Sequence, residues 1–250
     1  MATMFNYNPT TALIVGASQG IGLEFVRQLL QTHGIDRIYA TYRTQSELLA
    51  ISEPRLRCLQ MDITEEAQIA NVVQEIQTET AALHYVINCV GVLHEGAMQP
   101  EKSLRQLNTE QLLRYFQVNS IGAVLLAKHV QPLLKHRDRA ILATISAKIG
   151  SIGDNYLGGW YGYRASKAAL NMFMRTTAIE YKRTCPRAIV VTLHPGTTDT
   201  RLSRPFQRNV PSEKLFPVER TVQQLLTVLD QLKESDSGEF FSWDGSRLPW

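Results

Sequence analysis

Cysteine is scarce in this chain. Three residues in 250 (Cys58, Cys89 and Cys185) stand at wide spacings and in odd number. That excludes a disulfide framework and a thiolate metal cluster, and it fits thiols kept reduced inside a core. The histidines, at 33, 84, 94, 129, 136 and 194, are scattered without ligand spacing, so no metal is expected. Charge is modest: 20% of residues are charged, the net is +3, and no run of Lys or Arg forms a stripe that would mark a nucleic-acid surface. No apolar run reaches the roughly 18 residues of a membrane span. The opening MATMFNYNPT has neither the charged nor the apolar region of a secretory leader. Repeats, linkers and low-complexity tracts are lacking too. What remains is an ordinary globular composition, 44% hydrophobic, at a length suited to one core. The expectation is a single cytoplasmic domain over 1–250, with no membrane or nucleic-acid partner.

Short apolar runs alternate with helical stripes. Thr11–Val15 reads as a buried parallel strand, followed by a glycine-rich turn and a helix whose stripe is Phe25, Val26, Leu29 and Leu30. Further strands are expected at 37–42, 55–61, 83–89, 140–145 and 188–193. Helices are expected over 65–80, over about 109–135 with Pro132 bending or stopping it, and around Tyr163. Such alternation means a doubly wound α/β domain of Rossmann type, with a parallel sheet, helices on both faces and ligands at the carboxyl ends of the strands. The stretch 197–217 differs: it is polar and basic, carries Pro205, Pro211 and Pro217, and has no clear period. A loop of that length is read as a substrate lid, with a plain surface excursion as the alternative.

Gly16, Gly20 and Gly22 fall between the first strand and the first helix. Glycines there let the backbone approach a pyrophosphate, and the helix N-terminus supplies N–H donors; a merely tight turn is the other reading. Ser18 and Gln19 in the turn are within reach of phosphate oxygens. NAD-selective sites place an acid at the end of the second strand to hold the ribose 2′-hydroxyl. Here Tyr42 and Arg43 stand there instead, and a guanidinium suits a 2′-phosphate, so NADPH is expected over NADH. Farther on, Tyr163 and Lys167 are spaced to share one helix face, a phenol beside an ammonium. A tyrosine keeps its proton to a pKa of about 10. A neighbouring cation is expected to lower that value and make Tyr163 a usable general acid.

Taken together, Val15–Gly22, Asp62-Ile63, Ile87–Gly91, Val118-Asn119, Tyr163–Lys167 and Pro195-Gly196 with Thr200 resemble the short-chain dehydrogenase/reductases of the classical type, over nearly the whole chain. Ser146–Ile152, Gly158–Tyr161 and the ending Phe240–Trp250 look like the C-factor and Sniffer-like carbonyl reductase branch. The resemblance implies an NADP cofactor and a small carbonyl substrate. It makes Tyr163 the general acid and gives Lys167 the nicotinamide ribose; Asn119 would hold a relay water. Gly16, Ser18, Gln19, Gly20, Ile21 and Gly22 would form the phosphate turn. Asp62 and Ile63 would hold the adenine, Asn88 and Gly91 would line its ribose side, and Pro195, Gly196 and Thr200 would pass the nicotinamide amide. Relatives are often dimers or tetramers.

Two departures from the family pattern stand out. Cys89 and Val90 interrupt the usual Asn-Asn-Ala-Gly, a change expected to affect packing. After the fifth strand the family writes Ser-Ser, the second serine orienting the substrate oxygen, whereas this chain has Ser146-Ala147. Either Ser146 takes the role after a small shift, with Ser151 the weaker substitute, or the hydroxyl is missing. The expected function is NADPH-dependent carbonyl reduction. The alternative is a nucleotide-binding signalling or scaffold protein of the C-factor type with little turnover.

Overall fold

The computed structural model describes residues 10–44 and 46–250. In chain order its first half contains β1 (Thr11–Val15), α1 (Gly20–Gln31), β2 (Arg37–Tyr42), β3 (Leu56–Gln60), α2 (Glu66–Glu79), β4 (Tyr85–Asn88), α3 (Thr109–Phe116) and α4 (Gly122–Leu134). The second half contains β5 (Ala140–Ile145), α5 (Tyr161–Thr184), β6 (Ala188–His194), β7 (Thr197–Thr198), β8 (Leu215–Phe216), α6 (Val218–Gln231) and β9 (Phe240–Ser242).

Side chains of a strand alternate between the two faces of its sheet, and here both faces are apolar. Ala12 and Ile14 of β1 join one core while Leu13 and Val15 join the other. In β5 the split is Ile141, Ala143 and Ile145 against Ala140 and Leu142, and in β6 it is Ile189 and Val191 against Ala188 and Val190. A sheet apolar on both sides must be covered twice. Phe25, Val26 and Leu29 of α1 and Leu225 and Leu229 of α6 close the first face. Ile69 and Val73 of α2, Leu126 and Val130 of α4, and Leu170 and Met174 of α5 close the second.

The resulting sheet has seven strands in the order β3-β2-β1-β4-β5-β6-β9, and every pair is parallel. The winding reverses between β1 and β4, so the loops after those two strands part and leave a crevice at their carboxyl ends. Among the described residues, no helix is long and apolar enough to cross a membrane.

Three features differ from the sequence reading. The long helix expected over 109–135 is interrupted by a π turn at Gln117–Ile121, which holds Asn119; its last segment ends at Leu134, two residues past Pro132. Beyond the sixth strand the structure adds α6 and an edge strand, β9, paired through Thr192↔Phe240 and His194↔Ser242. The excursion at 197–217 is closed at its base by the two-residue strands β7 and β8, paired Thr197↔Leu215 and Thr198↔Phe216.

Candidate active site

One cleft of about 660 Å³ runs along the carboxyl ends of the strands. At one end is the turn after β1. Gly16 has φ +82, and a Cβ there would sit 2.7 Å from Val90 Cγ2. A Cβ on Gly22 would lie 2.2 Å from the Gly16 carbonyl oxygen, so helix and strand approach as only glycine permits. The turn is anchored from β2: Gly16 N–H donates to Thr41 Oγ1 at 3.1 Å and Ala17 N–H to Thr41 O at 2.8 Å. Gln19, in extended conformation, precedes α1 without capping it through its side chain. The first-turn N–H groups therefore have no side-chain cap at this edge of the cleft, as a helix N-terminus open to an anion requires. Ser18, Gln19, Gly20 and Ile21 line the cleft, and Thr200 closes on Gly20 with Cγ2 3.3 Å from where a Cβ would be.

The ends of β2, β3 and β4 form the next wall. Arg43, half exposed, faces Glu95 and Asp62. Asp62 Oδ1 accepts from Thr64 N–H at 2.9 Å and Thr64 Oγ1 at 2.8 Å, which fixes the carboxylate. Ile63 is buried, and its carbonyl would lie 2.7 Å from a Cβ on Gly122. Gly91 lines the cleft beside Lys167 and Asn119. Asn88 is placed differently: it is fully buried behind the lining, where Oδ1 accepts from Val90 N–H at 3.1 Å. Pro195 and Gly196 follow β6 into the cleft.

Tyr163 and Lys167 lie on one face of α5, with Lys167 Nζ 6.0 Å from the centre of the Tyr163 ring. Lys167 Nζ donates to the Ile145 carbonyl at 2.9 Å. The expected lowering of the Tyr163 pKa is not what the geometry produces. Burial raises the phenol, and burial also lowers the ammonium to about 8, against a smaller opposing effect of Cys89. Both side chains are nearly out of water, so desolvation outweighs their mutual attraction at this separation. Asn119 is used at both amide ends. Oδ1 accepts from Val92 N–H at 2.7 Å, and Nδ2 donates to Val92 O at 2.9 Å and Ser166 Oγ at 3.0 Å. It thus clamps the π turn to the segment after β4 and to α5.

Ser146 lines the cleft, but its hydroxyl donates to Asn171 Oδ1 at 2.7 Å, within the contact between β5 and α5. Ser151 is also buried and accepts from Asp154 N–H at 3.2 Å. Between them the Ala147 methyl lines the cleft and packs on the cluster of Leu93, Tyr115 and Tyr163. Trp160 and Phe206, 4.9 Å apart, extend this apolar wall, whereas Tyr156 is exposed and Tyr161 lies outside the lining.

The sequence reading missed Glu101, which is 1% exposed. Its Oε2 accepts from Gly162 N–H at 3.1 Å, and its carbonyl takes the N–H of Trp160, a residue in the left-handed region at φ +53. No local pattern announces it; only the fold brings 101 to the start of α5. Arg114 and the contacts of Phe206 were missed in the same way. The structure also gathers His84, His136 and Asp138, with ligating atoms within 4.8 Å, at the opposite end of the sheet from the cleft.

A family model described as short chain dehydrogenase matches residues 10–211. Among solved structures, a carbonyl reductase from chicken fatty liver with bound NADPH superposes with TM-score 0.87 at 27% identity, covering 99% of this chain and 96% of that one. The carbonyl reductase Sniffer of Drosophila melanogaster has the same fold, with TM-score 0.85 at 24% identity over 98% and 100% of the two chains. The C-signal of Myxococcus xanthus is 31% identical over 149 residues, covering 59% of this chain and 84% of that protein.

Proposed function

Because the chain belongs to the short-chain dehydrogenases and is an oxidoreductase of the carbonyl reductase type, we propose that it reduces an aldehyde or ketone to an alcohol at the expense of NADPH. The observation that carries this reading is that the glycine turn, Arg43 and the Tyr163/Lys167 pair open into one continuous cleft. The residues fit the cofactor. The turn is held tight by close backbone approach at Gly16 and Gly22, where a Cβ would collide with Val90 and with the Gly16 carbonyl, and the guanidinium suits a 2′-phosphate. The α1 N-terminus would receive the pyrophosphate, Asp62 and Ile63 the adenine, and Gly91 its ribose. Lys167 would bind the nicotinamide ribose, and Pro195, Gly196 and Thr200 its amide.

When bound, NADPH supplies the hydride. The chain's own part is to hold the carbonyl compound against the Trp160–Phe206 wall and to deliver a proton to its oxygen. Burial keeps the Tyr163 phenol protonated at neutral pH, as a general acid requires. Lys167 remains largely cationic below about pH 8 and stabilises the charge left on Tyr163. The 197–217 segment, which brings Leu202 and Phe206 to the cleft, would serve as the substrate lid.

The direct test is NADPH oxidation over a panel of aldehydes, ketones and quinones. Tyr163→Phe is expected to abolish turnover while leaving NADPH affinity within about twofold, because the phenol adds little to uniform binding. A second reading, a nucleotide-binding signalling or scaffold protein, is favoured by Ala147 and by the engaged Ser146 hydroxyl. A wild type that binds NADPH yet is as inert as Tyr163→Phe would select that second reading.

A further inference from the structure

The adenosine end of the cleft holds a carboxylate that carbonyl reduction does not call for. Glu95, just after β4, accepts from Arg114 Nε at 3.0 Å and Nη2 at 3.4 Å, and from Arg43 Nη2 at 3.3 Å. Arg43 Nη1 lies a further 3.9 Å from Asp62 Oδ2. One guanidinium at the end of β2 thus faces two carboxylates, and one of these is shared with a second guanidinium from α3. All four side chains line the cleft. A phosphate reaching Arg43 meets Glu95 already in place.

Glu95 has an alternative partner, because its contact with Arg114 is shorter and made at two points. Its main chain is held in place. Its backbone N–H and carbonyl both pair with Met98, at 3.2 and 3.0 Å, around Gly96 at φ +58. The backbone at Glu95 is therefore fixed near both arginines, and its carboxylate is divided between them. A 2′-phosphate feels this charge directly and a 2′-hydroxyl hardly at all.

We propose that Glu95 is a specificity-determining residue that restrains NADPH preference by competing with the 2′-phosphate for Arg43, and that Arg114 weakens the competition by drawing Glu95 away. This rests on the reading of Arg43 as the phosphate clamp.

The test is titration with NADPH and NADH, followed by nicotinamide fluorescence at low ionic strength. Glu95→Gln is expected to tighten NADPH about fivefold, the scale of one charge at a partly exposed site, and to leave NADH unchanged. Arg114→Met is expected to loosen NADPH by a similar factor, and the double variant to lose that loosening. Glu95→Gln that leaves NADPH unchanged or weaker, in a protein whose wild type prefers NADPH, overturns the competition and makes Glu95 a prop for Arg43. A loosening that persists in the double variant assigns Arg114 to the phosphate itself and overturns its role through Glu95. A wild type with no preference for NADPH removes Arg43 as the clamp, and the proposal falls with it.

Discussion

On the proposed reading, the Ala147 methyl that lines the cleft beside Tyr163 stands where the developing oxyanion of a reduced carbonyl would benefit from a second hydrogen-bond donor. The neighbouring hydroxyl is engaged elsewhere, with Ser146 Oγ donating to Asn171 Oδ1. Losing one such donor costs about 2.7–4 kcal/mol of transition-state stabilisation. Ala147→Ser is therefore expected to raise kcat on the order of a hundredfold with an ordinary ketone, measured as NADPH oxidation at saturating cofactor. An unchanged rate would mean that the oxyanion already finds its second donor elsewhere. Lys167 makes the other residue-level prediction. The profile of kcat/KM reports groups in the free enzyme, and burial lowers this ammonium to about 8 while raising Tyr163. Activity is expected to hold through neutral pH and to fall above about pH 8 as Lys167 loses its proton, with Tyr163 adding no limb in that range. A profile that rises through pH 8 would contradict this ordering.

Among the elements, α5 matters most to the proposed proton transfer, because its first turns set where Tyr163 and Lys167 lie. Its start is held by Glu101 through Gly162 N–H and by the Tyr115 ring, with Tyr115 Oη donating to Leu93 O at 2.7 Å. A Cβ on Gly162 would fall 2.4 Å from Tyr115 Cδ2 and 2.9 Å from Glu101 Oε1. Neither neighbour has room to retreat from a buried site, so overpacking of about 1–3 kcal/mol is expected. Gly162→Ala should thus lower the melting temperature by several degrees and reduce kcat more than it changes NADPH affinity, since the shift displaces Tyr163 rather than the glycine turn. Thermal unfolding together with the kinetics checks both parts. The π turn at Gln117–Ile121 plays a comparable part from the other side, its extra residue turning Asn119 towards the Val92 peptide and Ser166.

For the whole molecule, the cleft exists because a parallel sheet reverses its winding between β1 and β4, and each functional loop leaves a strand at its carboxyl end. The parallel sheet and a ligand site at its carboxyl ends were legible in advance; the place where the winding reverses was not. Runs such as TALIV and AILATI are apolar at every position, which a strand buried on both faces requires, and glycines at 16, 20 and 22 sit where strand passes to helix. The pairing of Tyr163 with Lys167 follows from helical periodicity alone. The edge strand β9 was not legible. Three residues, Phe240–Ser242, carry too little pattern to separate a strand from a loop, and their role comes from lying beside β6.

The sequence by itself determined what is local: the alternation of the first six strands with helices, the glycine turn, the cationic Arg43 in place of an acid, and the phenol and ammonium on one helix face. Periodicity and backbone sterics act within a few residues, so they can be read from a few residues. Only the tertiary structure decided the rest. It put Glu101 under Gly162, set Glu95 between Arg43 and Arg114, tied Ser146 to Asn171, and raised Tyr163 where proximity to Lys167 alone would have lowered it. Hydrogen bonds between segments far apart in the chain, and the desolvation that shifts a pKa, depend on what surrounds a group in three dimensions, and no stretch of sequence contains that.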